Sequence, residues 1–183
     1  MLLVRIVKVI IPILPMKVKI FIMKKLFYKL GKNSKVYTNN IGTEPYLIKI
    51  GDFVNVAAGV KFINHDISCE NISRLTSGMK LDSVGSIELK NNSFVGAYSI
   101  LMPNTSVGEN SVIAAGSVLT KNVPDNEVWG GVPAKKIMSI EEYKNKLIEK
   151  NIKYNWSGKK GLNLIRSRQI YFFREDFASN ELH

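Results

Sequence analysis

A chain of 183 residues with 45% apolar residues has room for one domain plus appendages. Its single cysteine, Cys69, excludes an internal disulfide and a cysteine-rich metal centre and suits a reducing, cytoplasmic setting. The net charge of +11 sits at the ends: residues 1–31 carry seven bases and no acid, 32–134 eight bases and nine acids, and 135–183 eleven bases and six acids, so no nucleic-acid partner is expected for the near-neutral middle.

Residues 1–31 read as a basic amphipathic segment. Met16, Ile20, Met23, Leu26, Phe27 and Leu30 make an apolar stripe, with Lys17, Lys24, Lys25 and Lys29 opposite. Arg5, Lys8, Pro12 and Pro15 interrupt any membrane span, and no small-residue cleavage site follows. Two readings stay open: residues 1–30 lie peripherally on an anionic membrane, or they cap whatever sheet edge comes next.

From residue 32 to 138 the organising signal is a period of six. The hexads IGDFVN, VAAGVK and FINHDI run from Ile50 to Ile67, and LKNNSF, VGAYSI, LMPNTS, VGENSV, IAAGSV and LTKNVP run from Leu89 to Pro124. The first position is always apolar, the second is Gly or Ala in five hexads, and the fifth is Ser, Thr or Val in eight. Neither a helix nor an alternating strand has this period, so the spacing predicts a three-sided solenoid with one hexad per side. Ile50–Ile67, Leu89–Ser106 and Val107–Pro124 each make one turn. A β-sandwich of short strands would not hold that register.

Gly31–Lys49 reads as an irregular first turn, because Gly42, Pro45 and Asn39–Asn40 break the pattern. Residues 68–88 read as a surface excursion that leaves the coil and returns. Ser139 and Glu142 form a capping box that predicts a helix to about Lys150, with Tyr143 and Leu147 on one face. It opens a C-terminal region, 139–183, whose part from 151 onward has no assigned structure.

Only two histidines occur, and the other, His183, is the last residue of the sequence, so His65 stands alone as a general base with a near-neutral range. It falls toward a corner of its hexad and points outward. Asn64 and Asp66 are its candidate orienting residues, although neighbours on a strand diverge. One internal histidine cannot build a three-histidine zinc site, and no metal is expected. A Cys69–His65 nucleophilic pair is the weaker alternative.

Val107 to Lys121 (VGENSVIAAGSVLTK) and Gly130 to Ile137 (GGVPAKKI) resemble the signature of the hexapeptide-repeat acyltransferases. The same residues are similar to those of the galactoside and maltose O-acetyltransferases and the O-acetyltransferases of surface polysaccharides. The resemblance implies an all-β left-handed parallel β-helix with helical extensions at both termini, assembled as a homotrimer with sites between subunits. It implies acetyl-CoA as co-substrate and a saccharide acceptor, with His65 as the base for direct transfer. It places Ala97 near the thioester, Ala115 and Gly116 along the pantetheine, and Thr120, Lys121 and Lys135 near the nucleotide. The galactoside enzymes carry Ser at position 97 and Arg at position 135, so a backbone N–H and a point charge would serve here. Trp129 would stack on adenine or cap the coil. An N-acetyltransferase of an amino sugar or nucleotide sugar is the runner-up, and a non-catalytic binding solenoid the third reading. The expected location is the cytoplasm, with or without peripheral attachment to the membrane's inner face.

Overall fold

The computed structural model describes residues 13–152, 154 and 158–173. Arg5, Lys8 and Pro12 of the basic segment, and His183, lie outside them. Two compact units are present, residues 1–141 and 142–183.

The first unit is the coil. Its short parallel strands stack into three sheets. On one face Leu30, Ile50, Leu89 and Val107 stand in register, on the second Val36, Val56, Val95 and Ile113, and on the third Phe62, Leu101 and Leu119. The apolar first position of each hexad is thus the rung of an inward ladder. All of these except Leu30 are at most 1% exposed. Burying each such side chain contributes roughly 1.5–3 kcal/mol.

The fifth position carries the second inward row. Ser93, Ser99, Ser111 and Ser117 are at most 1% exposed, and each hydroxyl donates to a carbonyl, as Ser111 does to Pro124 at 2.7 Å. A small side chain fits there, and the hydrogen bond offsets the cost of burying it. One corner is turned by Asn33, Phe53, Asn92, Asn110 and Asn126, all at positive φ. Asparagine tolerates that left-handed conformation better than other side chains. Its amide also pairs along the corner, Asn92 to Asn110 at 2.9 Å and Asn110 to Asn126 at 3.0 Å.

The predicted first turn is more regular than its sequence suggests. Val36 pairs with Val56 and Asn40 bridges to Lys61, so the irregularity is confined to the stretch containing the 3-10 turn Pro45–Leu47. The turn is also longer than the strict repeats, since Leu30 meets Ile50 whereas Leu89 meets Val107. The excursion likewise has structure of its own, a helix over Ser68–Ser73. The chain rejoins the coil at Ile87, two residues before the hexads resume. At the far end Glu127–Gly130 continues the second face and Lys135–Ser139 pairs antiparallel to it, a closing hairpin that the hexad pattern does not show.

The coil is all-β, but the described residues also hold four α-helices, so that class fits only the coil. Helix α1 (Met16–Leu26) precedes it, α2 (Ser68–Ser73) lies in the excursion, α3 (Ile140–Ile152) starts directly after Ser139, and α4 (Gly161–Phe173) belongs to the second unit. Helix α1 answers part of the open question about the N-terminal segment. Met23 is fully buried, Ile20, Ile22 and Leu26 pack against the core, and the Phe27 ring lies 6.5 Å from that of Phe62. The helix therefore caps the coil, leaving Phe21 and Val18 outward among Lys17, Lys24 and Lys25. Among the described residues no helix is long and apolar enough to cross a membrane. In the second unit Tyr154, Tyr171 and Phe172 meet edge to face, a small partly exposed aromatic cluster in the unassigned tail.

Candidate active site

His65 leaves the third face at the corner where the coil gives way to the excursion. Its side chain is 27% exposed, and both ring nitrogens meet carboxylates. Nδ1 lies 3.2 Å from Glu44 Oε1, and Nε2 lies 3.3 Å from Asp82 Oδ1. Glu44 is only 12% exposed, whereas Asp82 is 71% exposed and belongs to the excursion. The buried carboxylate is the fixed partner and the exposed one the displaceable partner. The Glu44 carboxylate near Tyr46 raises that phenol above its ordinary range.

Asn64 does not touch the imidazole; its side chain meets the backbone of Glu44 instead. Fully buried, it accepts the Glu44 backbone N–H at 3.2 Å and donates to the Glu44 carbonyl, clamping that residue from both sides. Asp66 does not fill the orienting role expected of it. Its carboxylate turns away and accepts the Ser68 amide at 2.9 Å; hydrogen bonds from Ser68 hold it below the usual carboxylate range. Adjacent strand residues diverge, so the carboxylates that reach the ring come from the previous turn and from the excursion. Glu44 had one legible signal, its place in the irregular stretch a turn before His65; Asp82 had none.

Cys69 is buried in α2 and its thiol donates to the Asp66 carbonyl at 3.0 Å. Its sulfur, a His65 nitrogen and an Asp82 oxygen lie within 4.8 Å of one another. A thiol spent as a donor to a backbone carbonyl is not presented as a nucleophile. Beside the ring a cavity of about 380 Å³ is lined by Asn39, Asn40, Thr43, Lys61, Asn64 and His65 together with the apolar Phe62 and Ile63. Amides, a hydroxyl and an ammonium group beside an apolar wall suit a hydroxyl-bearing molecule that also has an apolar face.

The expected cofactor residues gather elsewhere. Ala97 and Gly116 stack at one corner, where the Gly116 N–H donates to the Ala97 carbonyl at 2.8 Å, and Ala115 is exposed beside them. Gly116 sits at φ 70° with open space where a side chain would be, so the track stays narrow-walled and accessible. Thr120, Lys121 and Lys135 line a second cavity of about 300 Å³ together with Trp129, Pro133 and Lys136. Trp129 packs on the core and donates to Glu127 at 2.7 Å, and Lys136 donates to the same carboxylate at 2.7 Å. These two bonds, the Lys136 one larger, hold Glu127 below its ordinary range. With Lys136 so engaged, Lys121 and Lys135 are the other two lysines lining this cavity. The two cavities share no lining residue within one chain.

Residues 86–121 match the family described as bacterial transferase hexapeptide, six repeats. The chain is 37% identical over 158 residues to protein CapG of Staphylococcus aureus, covering 73% of this chain and 91% of that one. It is 32% identical to the galactoside O-acetyltransferase of Escherichia coli across 62% of its own length, and it spans about half (54%) of that relative. Among solved structures, a galactoside acetyltransferase in complex with coenzyme A superposes with a TM-score of 0.58 at 23% identity, over 79% of this chain and 82% of that one. A hexapeptide-repeat acetyltransferase of Vibrio cholerae, complexed with acetyl coenzyme A, gives 0.58 at 21% identity over 74% and 84%. At such identities these likenesses speak to the fold.

Proposed function

This chain belongs to the hexapeptide-repeat transferases, and from that premise we propose that it is an acetyltransferase that uses acetyl-CoA and acetylates a saccharide hydroxyl with His65 as general base. The observation that carries the reading is the ring of His65, held on Nδ1 by a nearly buried carboxylate at the wall of a cavity lined with amides and a hydroxyl. In the neutral ring Nδ1–H donates to Glu44 and Nε2 carries the lone pair for the acceptor; a ring paired with Asp82 through an Nε2–H first gives that proton up to solvent. The incoming hydroxyl displaces the exposed Asp82 carboxylate. His65 then draws the hydroxyl proton onto Nε2 as the oxygen bonds to the acyl carbon, and returns it to the departing thiol as the carbon–sulfur bond breaks. Acetyl-CoA supplies the activated acyl carbon and the thiolate leaving group. Lys121 and Lys135 hold its phosphates, and the Ala97, Ala115 and Gly116 track admits its narrow arm against the backbone.

The separate placement of the two cavities supports a site shared between subunits of a trimer, in a coil of left-handed sense as the family resemblance implies. The outward face of α1, with Phe21 ringed by lysines, supports peripheral attachment to an anionic membrane from the cytoplasmic side.

Wild type should release free CoA from acetyl-CoA when supplied with a suitable member of a panel of sugars. His65→Ala should lower kcat at least about 100-fold with CoA affinity little changed, the range a general base contributes. Near-normal kcat in that variant would remove the base assignment. Mixing inactive His65→Ala subunits with inactive Ala115→Trp subunits should restore some activity, and a monomeric mass by light scattering would contradict the shared site.

A further inference from the structure

On the other side of Glu44 in sequence lies a second opening that the transfer chemistry does not use. It encloses about 240 Å³ and is lined by Tyr28, Tyr46, Lys49, Ser86 and Glu88 among others. That volume is below the ~300–1,000 Å³ of a drug-sized pocket, so it suits a single ring. Tyr28 is 76% and Tyr46 57% exposed, two amphipathic aromatic side chains standing in the open. Lys49 and Glu88 pair at 2.7 Å, and the carboxylate raises the lysine above its ordinary range.

The pair makes the groove electrically balanced, which disfavours a phosphate or a carboxylate as its occupant. It also sets a donor beside an acceptor: the ammonium has three N–H groups and the carboxylate about four lone-pair sites, so both keep capacity after bonding each other. Adjacent hydroxyls on a ring match that arrangement, and the C–H face of the same ring matches a tyrosine. The groove also lies near the base along the chain, because Tyr46 is two residues from Glu44 and Glu44 meets His65 at 3.2 Å.

We infer that this groove is a second saccharide subsite, holding the sugar ring next to the one acetylated. The inference rests on the saccharide-acceptor reading above and gives it a size: acceptors of two or more rings are preferred over single sugars. Tyr28, Lys49 and Glu88 set that preference without entering the proton transfer.

Saturation-transfer NMR on the full chain with lactose and maltose, against galactose and glucose, tests it without requiring turnover. At least one disaccharide should bind at least about fivefold more tightly than its single sugars, with saturation reaching both rings. Tyr28→Ala and Glu88→Gln should each abolish that advantage and leave single-sugar binding unchanged. In transfer assays the same variants should raise KM for the disaccharide with kcat nearly constant. The subsite is overturned if neither disaccharide binds better than its components, or if neither variant alters the ratio. It also falls if Tyr28→Ala changes the oligomeric mass, which would make the groove a subunit contact. Disaccharide binding that obeys the variants, with no acetyl transfer to any sugar, would keep the groove and overturn the acceptor reading instead.

Discussion

Between Leu89 and Leu119 each rung of the coil meets its neighbour one strict repeat away, whereas between Leu30 and Leu89 the spacing slips twice. The first slip falls in the stretch that carries Glu44 and Tyr46, and the second is the excursion that carries Asp82. Both lie next to His65, and each delivers one carboxylate to its ring. The regular part, by contrast, provides a track of small residues and a row of buried serines. Repetition here builds a smooth, small-residue surface. Departures from it bring the two carboxylates to the His65 ring.

The comparison breaks most visibly if a rung of the regular ladder is removed. Leu89→Ala empties a fully buried position and should cost about 2–5 kcal/mol, read as a lower urea midpoint. The folded fraction should keep its kcat. A variant that stayed stable but lost turnover would show that the regular part holds chemistry as well.

Glu44→Gln reverses the expectation. The clamp from Asn64 acts on the backbone of residue 44 and survives the change, so stability should move little. The ring loses its charged partner, and kcat should fall roughly tenfold, about 1.4 kcal/mol of activation free energy. An unchanged kcat would leave the first slip without a catalytic purpose.

What the sequence showed divides along the same line. The hexads from Leu89 to Pro124 predicted their own register, because one buried apolar side chain per side is a local rule that repeats. His65 stood out by being the only internal histidine. Glu44 and Asp82 did not stand out, since their approach depends on how an irregular turn and an excursion fold in three dimensions. Asp66, adjacent in sequence, drew attention that its geometry does not support. The closing hairpin escaped for the same reason: Lys135–Ser139 pairs antiparallel and obeys no hexad. The cap formed by α1 was half legible, since an amphipathic stripe tells which side is buried but not what covers it.

A smaller effect sharpens the corner logic. Asn110→Ala loses amide bonds to Asn92 and Asn126 and puts an ordinary side chain at φ 57°, for a cost of about 1–2 kcal/mol. Asn110→Gly should recover the backbone part and not the ladder part. Equal losses in thermal melts would assign everything to the amide pairing.

The smallest effect concerns acid. Glu127 has a folded range below its unfolded one because Lys136 and Trp129 bond its carboxylate. Its contribution is therefore present above the ordinary glutamate range and declines as the pH falls through the lowered one. Glu127→Gln should flatten that part of the stability-against-pH curve measured by urea midpoints. A curve that keeps its slope would place the acid sensitivity elsewhere.

The excursion also bears on the order in which the chain assembles. Leu89 must find Val107 across a short separation, while Ile50 must find Leu89 across one about twice as long. Closing a loop costs roughly 0.6 kcal/mol more for each doubling of its length, and that entropy is lost before any strand pairing is gained. The late turns are thus the favoured nucleus, and the turn bearing His65 is added onto a template already formed. Destabilising changes in the late ladder should slow refolding. Those in the Ile50 turn should mainly speed unfolding, so the turn that bears His65 should also be the part that opens first.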